Sequence, residues 1–232
     1  MILLLAAVAF ASAGTPLFFA AAGPNSAGTG ADDASLGTVA WSNPANITSS
    51  DNSRASASVG DASISHYLKA TSFGFSIPSG SAINGIVVEY ECHNTASAGG
   101  AVVEDNSIKL VKGGAISGDD KGDGTDWPFL AASESYLTKG SSSDQWGLSW
   151  TATDINASDF GCAISAKPRA GFEVSDAVAL IDHVRITVHY TLLLMPRRII
   201  RWDGELDLAA TMKLGQPVYR QTRTAAVIRR AA

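Results

Sequence analysis

Apolar and polar residues alternate strictly over residues 83–93. Ile86, Val88, Tyr90 and Cys92 fall on one face, and Val87, Glu89, Glu91 and His93 on the other. A period of two is that of a strand with one buried face. Residues 181–191 repeat the pattern, with Val184, Ile186, Val188 and Tyr190 inward and His183, Arg185, Thr187 and His189 outward, toward solvent. Phe160, Cys162 and Ile164 alternate with Gly161, Ala163 and Ser165. Phe73, Phe75 and Ile77 alternate with small residues up to the turn signal Pro78-Ser79-Gly80. A shorter strand over 105–111 stops at Gly113-Gly114. One helical turn is expected after Thr151, whose Thr-x-x-Asp spacing to Asp154 resembles a capping box. There is no long run of period 3.6 and no internal repeat. The pattern predicts an all-β fold, an antiparallel β-sandwich of jelly-roll type.

Both ends depart from this pattern. Residues 1–10 are almost wholly apolar, and Ala11-Ser12-Ala13-Gly14 follows, which resembles a signal-peptide cleavage site. No Lys or Arg precedes the run, however, and Gly14 and Pro16 interrupt it before it is long enough to span a bilayer as a helix. The preferred expectation is an N-terminal arm that buries itself against another subunit, extended by Leu17, Phe18 and Phe19. Residues 23–34, rich in Gly, Ala, Ser and Asp, read as a linker. Three regions result: arm and linker over 1–35, sandwich over 36–194, and a basic tail over 195–232.

Charge sharpens that division. The 232-residue chain carries a net charge of −5, which argues against a dedicated nucleic-acid binder. Residues 1–194 hold nine basic against nineteen acidic residues, and residues 195–232 hold eight against three. The tail, with Arg197, Arg198, Arg201, Arg229 and Arg230, is expected to dock on acidic surfaces of neighbouring proteins.

The middle of the chain resembles a domain that recurs in virion proteins of tailed bacteriophages. The matching stretches are Trp41-Ser-Asn-Pro-Ala-Asn-Ile, Tyr67-Leu-Lys-Ala-Thr-Ser-Phe-Gly-Phe-Ser-Ile-Pro-Ser-Gly and Ile83-Asn-Gly-Ile-Val-Val-Glu. They continue with Ser107-Ile-Lys-Leu-Val-Lys-Gly-Gly, Ser143-Asp-Gln-Trp-Gly-Leu-Ser-Trp-Thr, Asp154-Ile-Asn-Ala-Ser-Asp-Phe-Gly and Ile181-Asp-His-Val-Arg-Ile-Thr-Val-His-Tyr-Thr. They cover about residues 41–191 in order. The resemblance implies a β-sandwich structural module of the virion, not an enzyme, and implies no particular location. Together with the apolar and basic ends it leads to the expectation of a homo-oligomer that docks to other virion proteins, on the capsid exterior or in the tail or neck, with no membrane partner. It carries over no defined functional residues.

Candidate chemistry is sparse. The chain has no Gly-x-Ser-x-Gly elbow, His-Glu-x-x-His pair or phosphate-binding Gly-x-x-x-x-Gly-Lys-Ser/Thr loop. Asp182 and His183 resemble part of a hydrolase triad, but neighbours in a regular strand point to opposite faces. Glu89, Glu91 and His93 share a face, yet no second strand visibly completes a metal shell. No cofactor is expected. Asp119, Asp120, Asp123 and Asp126 crowd one loop and form a weak Ca²⁺ candidate, although the spacing is not that of an EF-hand and Lys121 intervenes. Cys92 and Cys162 read as buried thiols, with an inter-sheet disulfide as the alternative. Trp127, Tyr136 and Trp150 supply the second functional reading, a secreted or cell-surface module that stacks a host glycan on aromatic rings.

Overall fold

The computed structural model describes residues 8–9, 17–60, 63–96, 102–171 and 175–193. The arginines expected to dock the basic tail lie outside them. Two antiparallel sheets pack face to face, as the alternation predicts. The first contains β1 (Val8–Ala9), β2 (Leu17–Ser26), β4 (Ala55–Ser58), β6 (Ala82–Thr95), β9 (Ser135–Gly140) and β11 (Val178–Leu193). Its order is β1-β2-β11-β6-β9, and β4 also pairs with β11. The second contains β3 (Thr29–Asp33), β5 (Tyr67–Thr71), β7 (Val103–Lys112), β8 (Ala115–Ser117) and β10 (Gly161–Pro168), in the order β3-β5-β10-β7-β8.

The inward residues named by the alternation form the core. Ile86, Val88, Tyr90 and Cys92 of β6 and Val184, Ile186, Val188 and Tyr190 of β11 are buried. They face Leu68, Ile108, Leu110, Cys162 and Ile164 of the second sheet. Both cysteines are buried free thiols, so no disulfide joins the sheets. Burial pushes both thiols well above the usual range. The short helix α1 (Ala152–Asn156) forms where expected, with its capping box complete: Asp154 N donates to Thr151 Oγ1 at 3.1 Å and Thr151 N to Asp154 Oδ2 at 2.8 Å.

Two expectations need correction. Residues 17–34 are neither free arm nor linker. β2 pairs with β11 from Leu17↔Leu193 to Ser26↔Arg185, and β3 pairs with β5. Small residues are required here by close backbone approach. A Cβ on Gly23 would meet the Ile186 carbonyl oxygen at 2.5 Å, and one on Gly30 would overlap the Pro44 carbonyl oxygen. Pro24 is tolerated because the β2–β11 ladder is irregular beside it. The second correction concerns Phe73, Phe75 and Ile77. They alternate in burial as expected but belong to no strand. The Asn156 side chain stands in for a ladder neighbour: it accepts from Ile77 N at 2.7 Å and donates to Ile77 O at 2.9 Å. Phe73 and Phe75 pack with Phe160, whose ring meets Trp150 edge-on at 5.4 Å.

One charged pair lies between the sheets. Lys139 of edge strand β9 points inward, and its Nζ lies 2.7 Å from Asp105 Oδ2 of β7. The side chains are 7% and 0% exposed. Asp105 Oδ1 accepts from Tyr90 OH at 2.7 Å and from Trp127 Nε1 at 2.8 Å. An inward charge on an edge strand also discourages pairing with a foreign strand.

Candidate functional site

The polar side chains converge on the outer face of the first sheet. A hydrogen-bonded chain runs across it from β9 to β2. Tyr136 OH of β9 meets His183 Nδ1 of β11 at 2.8 Å, and His183 Nε2 meets Ser26 Oγ of β2 at 2.9 Å. Arg185 grips Glu89 of β6 in a bidentate pair at 3.0 and 2.9 Å, and its guanidinium lies 3.8 Å from the Tyr136 ring centre. At the far end Arg54 forks onto Glu134 at 2.8 and 2.5 Å, and Glu134 Oε1 lies 2.9 Å from His93 Nδ1.

His93 and His183 were expected in solvent, but they are 3% and 7% exposed. The segment that contains the short 3₁₀ helix Pro44–Ile47 covers His183, and His93 is held by Glu134. Thr48 bridges to His183, and Asn52 N donates to Asp182 Oδ2 at 3.1 Å. His189 stays half-buried. The strict alternation also breaks at Asp182. The β6–β11 register shifts between Ile181 and His183, so Asp182 has no β6 partner. Asp182 and His183 both lie between inward Ile181 and Val184, on the outer side. At this bulge two adjacent strand residues therefore face the same side, where a regular strand would turn them apart.

The electrostatics follow from burial and pairing. Arg54, by hydrogen bond, holds the Glu134 carboxyl below its ordinary range. Burial raises Asp182 and lowers His183, and for His183 the neighbouring Glu91 and Asp182 oppose the shift. Glu91 Oε2 and Asp182 Oδ1 are buried without a hydrogen-bond partner. Ser26 and His183 have the contact of a hydroxyl and a neutral base, with Tyr136 orienting the ring. Their evident effect is to tie β2, β11 and β9 across the sheet.

Because His183 is depressed in the folded chain, the unfolded chain binds more protons near its ordinary pKa. Its contribution to stability is complete above about pH 6.5 and falls as pH drops through that value. We expect the melting temperature to fall between pH 7.5 and 5.5, and to fall less steeply in His183→Gln. An equal slope in wild type and variant would refute this assignment.

The other expected site residues are not brought together. Asp120 accepts from Ile108 N and Ser107 Oγ, Asp123 takes Lys139, Asp126 pairs with Arg169 at 3.1 Å, and Asp119 lies 3.9 Å from Lys121. The loop spends its carboxylates on separate partners. Among the described residues no group of three or more His, Cys, Asp or Glu side chains is placed to hold a metal. Trp127 is fully buried and Trp150 is 7% exposed. Their indole N–H groups are satisfied inside, by Asp105 Oδ1 and by Gln145 O at 3.0 Å. Only Tyr136 of the expected glycan platform is partly exposed, and it is engaged with His183. Core packing has claimed the two tryptophans.

Of the expected assembly residues within the described chain, Leu17 and Phe18 are half-buried and Phe19 is 46% exposed. Phe19, Ala20, Asn84, Ser142, Ser143 and His189 line an open hollow of about 480 Å³. No protein-family profile, curated protein or solved structure matches the chain.

Proposed function

We propose that the chain is a non-enzymatic structural protein of a tailed-bacteriophage virion, a capsid-exterior or tail and neck component that associates with copies of itself and docks to neighbouring virion proteins. The ordered motif resemblance over residues 41–191 supports the virion setting. The observation that carries the assembly reading is Phe19. A large aromatic ring stands out beside an open hollow near the β1–β2 edge of the first sheet. Apolar surface of this kind, in a sandwich already closed on its own core, is suited to burial against a second copy. The outer-face ion pairs fit a rigid plate more than a reacting centre.

Peptide mapping of purified tailed particles from the encoding phage tests the setting, and absence of this chain from the particles would overturn it. Phe19→Asp tests the surface. We expect the wild-type chain to be oligomeric by light scattering and the variant to shift to monomer with an unchanged melting temperature. Equal masses for the two chains would remove Phe19 from the assembly surface.

A further inference from the structure

We propose that Lys139 and Asp105 condense spontaneously into an isopeptide bond that joins the two sheets covalently. The two groups are on different sheets, both buried, with Nζ and Oδ2 2.7 Å apart. Oδ2 has no aligned hydrogen-bond partner besides this ion pair. Oδ1 is held by two donors, Tyr90 OH and Trp127 Nε1, at 2.7 and 2.8 Å. A second carboxylate touches the amine: Nζ donates to Asp123 Oδ1 at 2.6 Å and to Thr125 Oγ1 at 3.0 Å. An amine, an acyl carbon and donors for an oxyanion thus meet in one buried place, and Asp123, 63% exposed, holds the amine from the solvent side.

Each part has a defined task. Burial pulls the Lys139 ammonium toward neutrality, and its two carboxylate partners outweigh that pull, so nitrogen starts as the ammonium. One proton passes from Nζ to Asp105 Oδ2 across the 2.7 Å contact. The freed lone pair attacks Cγ, and the C–N bond forms. Negative charge gathers on Oδ1, where the Tyr90 hydroxyl and the Trp127 indole N–H already point. A second proton leaves nitrogen for Oδ2, the C–O bond breaks and water departs. The two protons lost by nitrogen are those gained by the water. Nitrogen keeps one hydrogen, and nothing is oxidised or reduced. The fold supplies the proximity that a bimolecular condensation lacks.

The test is the mass of the purified full chain under denaturing conditions, followed by a tryptic map. We expect a mass about 18 Da below that of the sequence, the loss of one water. Trypsin should leave Lys139 uncut, and the peptide that contains Asp105 should be recovered joined to the one that contains Lys139. Lys139→Arg should restore the full mass. Tyr90→Phe, which retains both reacting groups and removes one donor to Oδ1, should leave more of the chain unlinked. A wild-type chain of full mass, cleaved at Lys139, would overturn the proposal. So would a loss of water with Lys139 still cleaved, since that marks a succinimide at Asp123-Gly124 instead.

Discussion

Relative to the uncondensed chain, Asp105→Ala is expected to lower the unfolding free energy by about 3–5 kcal/mol, the usual cost of removing one partner from a buried pair. The variant leaves the Lys139 ammonium facing the core with only exposed-side partners in Asp123 and Thr125. It also strips the acceptor from Tyr90 OH and Trp127 Nε1, two fully buried groups. Urea denaturation followed by tryptophan fluorescence measures the loss, and Trp127 reports from the site itself. Asp105→Asn retains an acceptor and should cost less. Replacing both partners with apolar residues, Asp105→Leu with Lys139→Met, should recover much of the loss, because no orphaned charge remains. A change under about 1 kcal/mol in Asp105→Ala would mean that water reaches Lys139 and the pair is not buried in solution.

Trp146→Ala is the second large effect, at about 3–5 kcal/mol. Trp146 is fully buried, and its Nε1 donates to the Ile86 carbonyl at 2.9 Å. A Cβ on Gly140 would meet that indole nitrogen at 2.7 Å, so the glycine of β9 is fitted to the ring. Truncation therefore opens a large cavity and orphans a β6 carbonyl. Trp146→Phe separates the two parts, since it retains most of the volume and loses the donor. The expected order of stability is wild type, Phe, then Ala, in thermal unfolding. A Phe variant as unstable as Ala would shift the weight from packing to the hydrogen bond.

Much of the fold was legible in the chain because its two longest strands are amphipathic. Residues 83–93 and 181–191 carry an unambiguous period of two, and both are strands with the expected inward faces. β2 and β3 were illegible for the opposite reason. Gly23, Gly30 and their small neighbours look like a linker, and only the approach of Ile186 and Pro44 gives them a packing role. Phe73, Phe75 and Ile77 show that alternating burial needs no ladder when a side chain such as Asn156 supplies the hydrogen bonds. The outer-face cluster was half visible. Glu89, Glu91 and His93 share a face in the sequence, but Arg54, Glu134 and Tyr136 join them from distant segments. The covering segment that buries His183 leaves no local signal, and neither does the bulge at Asp182. Lys139 looks like an ordinary exposed lysine until Asp105 is brought to it from the other sheet.

The position of β11 has a consequence for the order in which the molecule is made. This strand lies between β2 and β6 in the first sheet, and among the described residues it is the last strand to be synthesised. β2, among the first, has no ladder neighbour but the brief β1 until β11 arrives. A ribosome-bound chain therefore carries Phe18 and Phe19 on an unfinished strand through most of its translation. Pairing between such distant segments is slow, and exposed strand edges are prone to aggregation meanwhile. The same arrangement acts as a timer. The β2 edge takes its final shape only when the sandwich is complete, so half-made chains do not present the surface proposed above for association between copies.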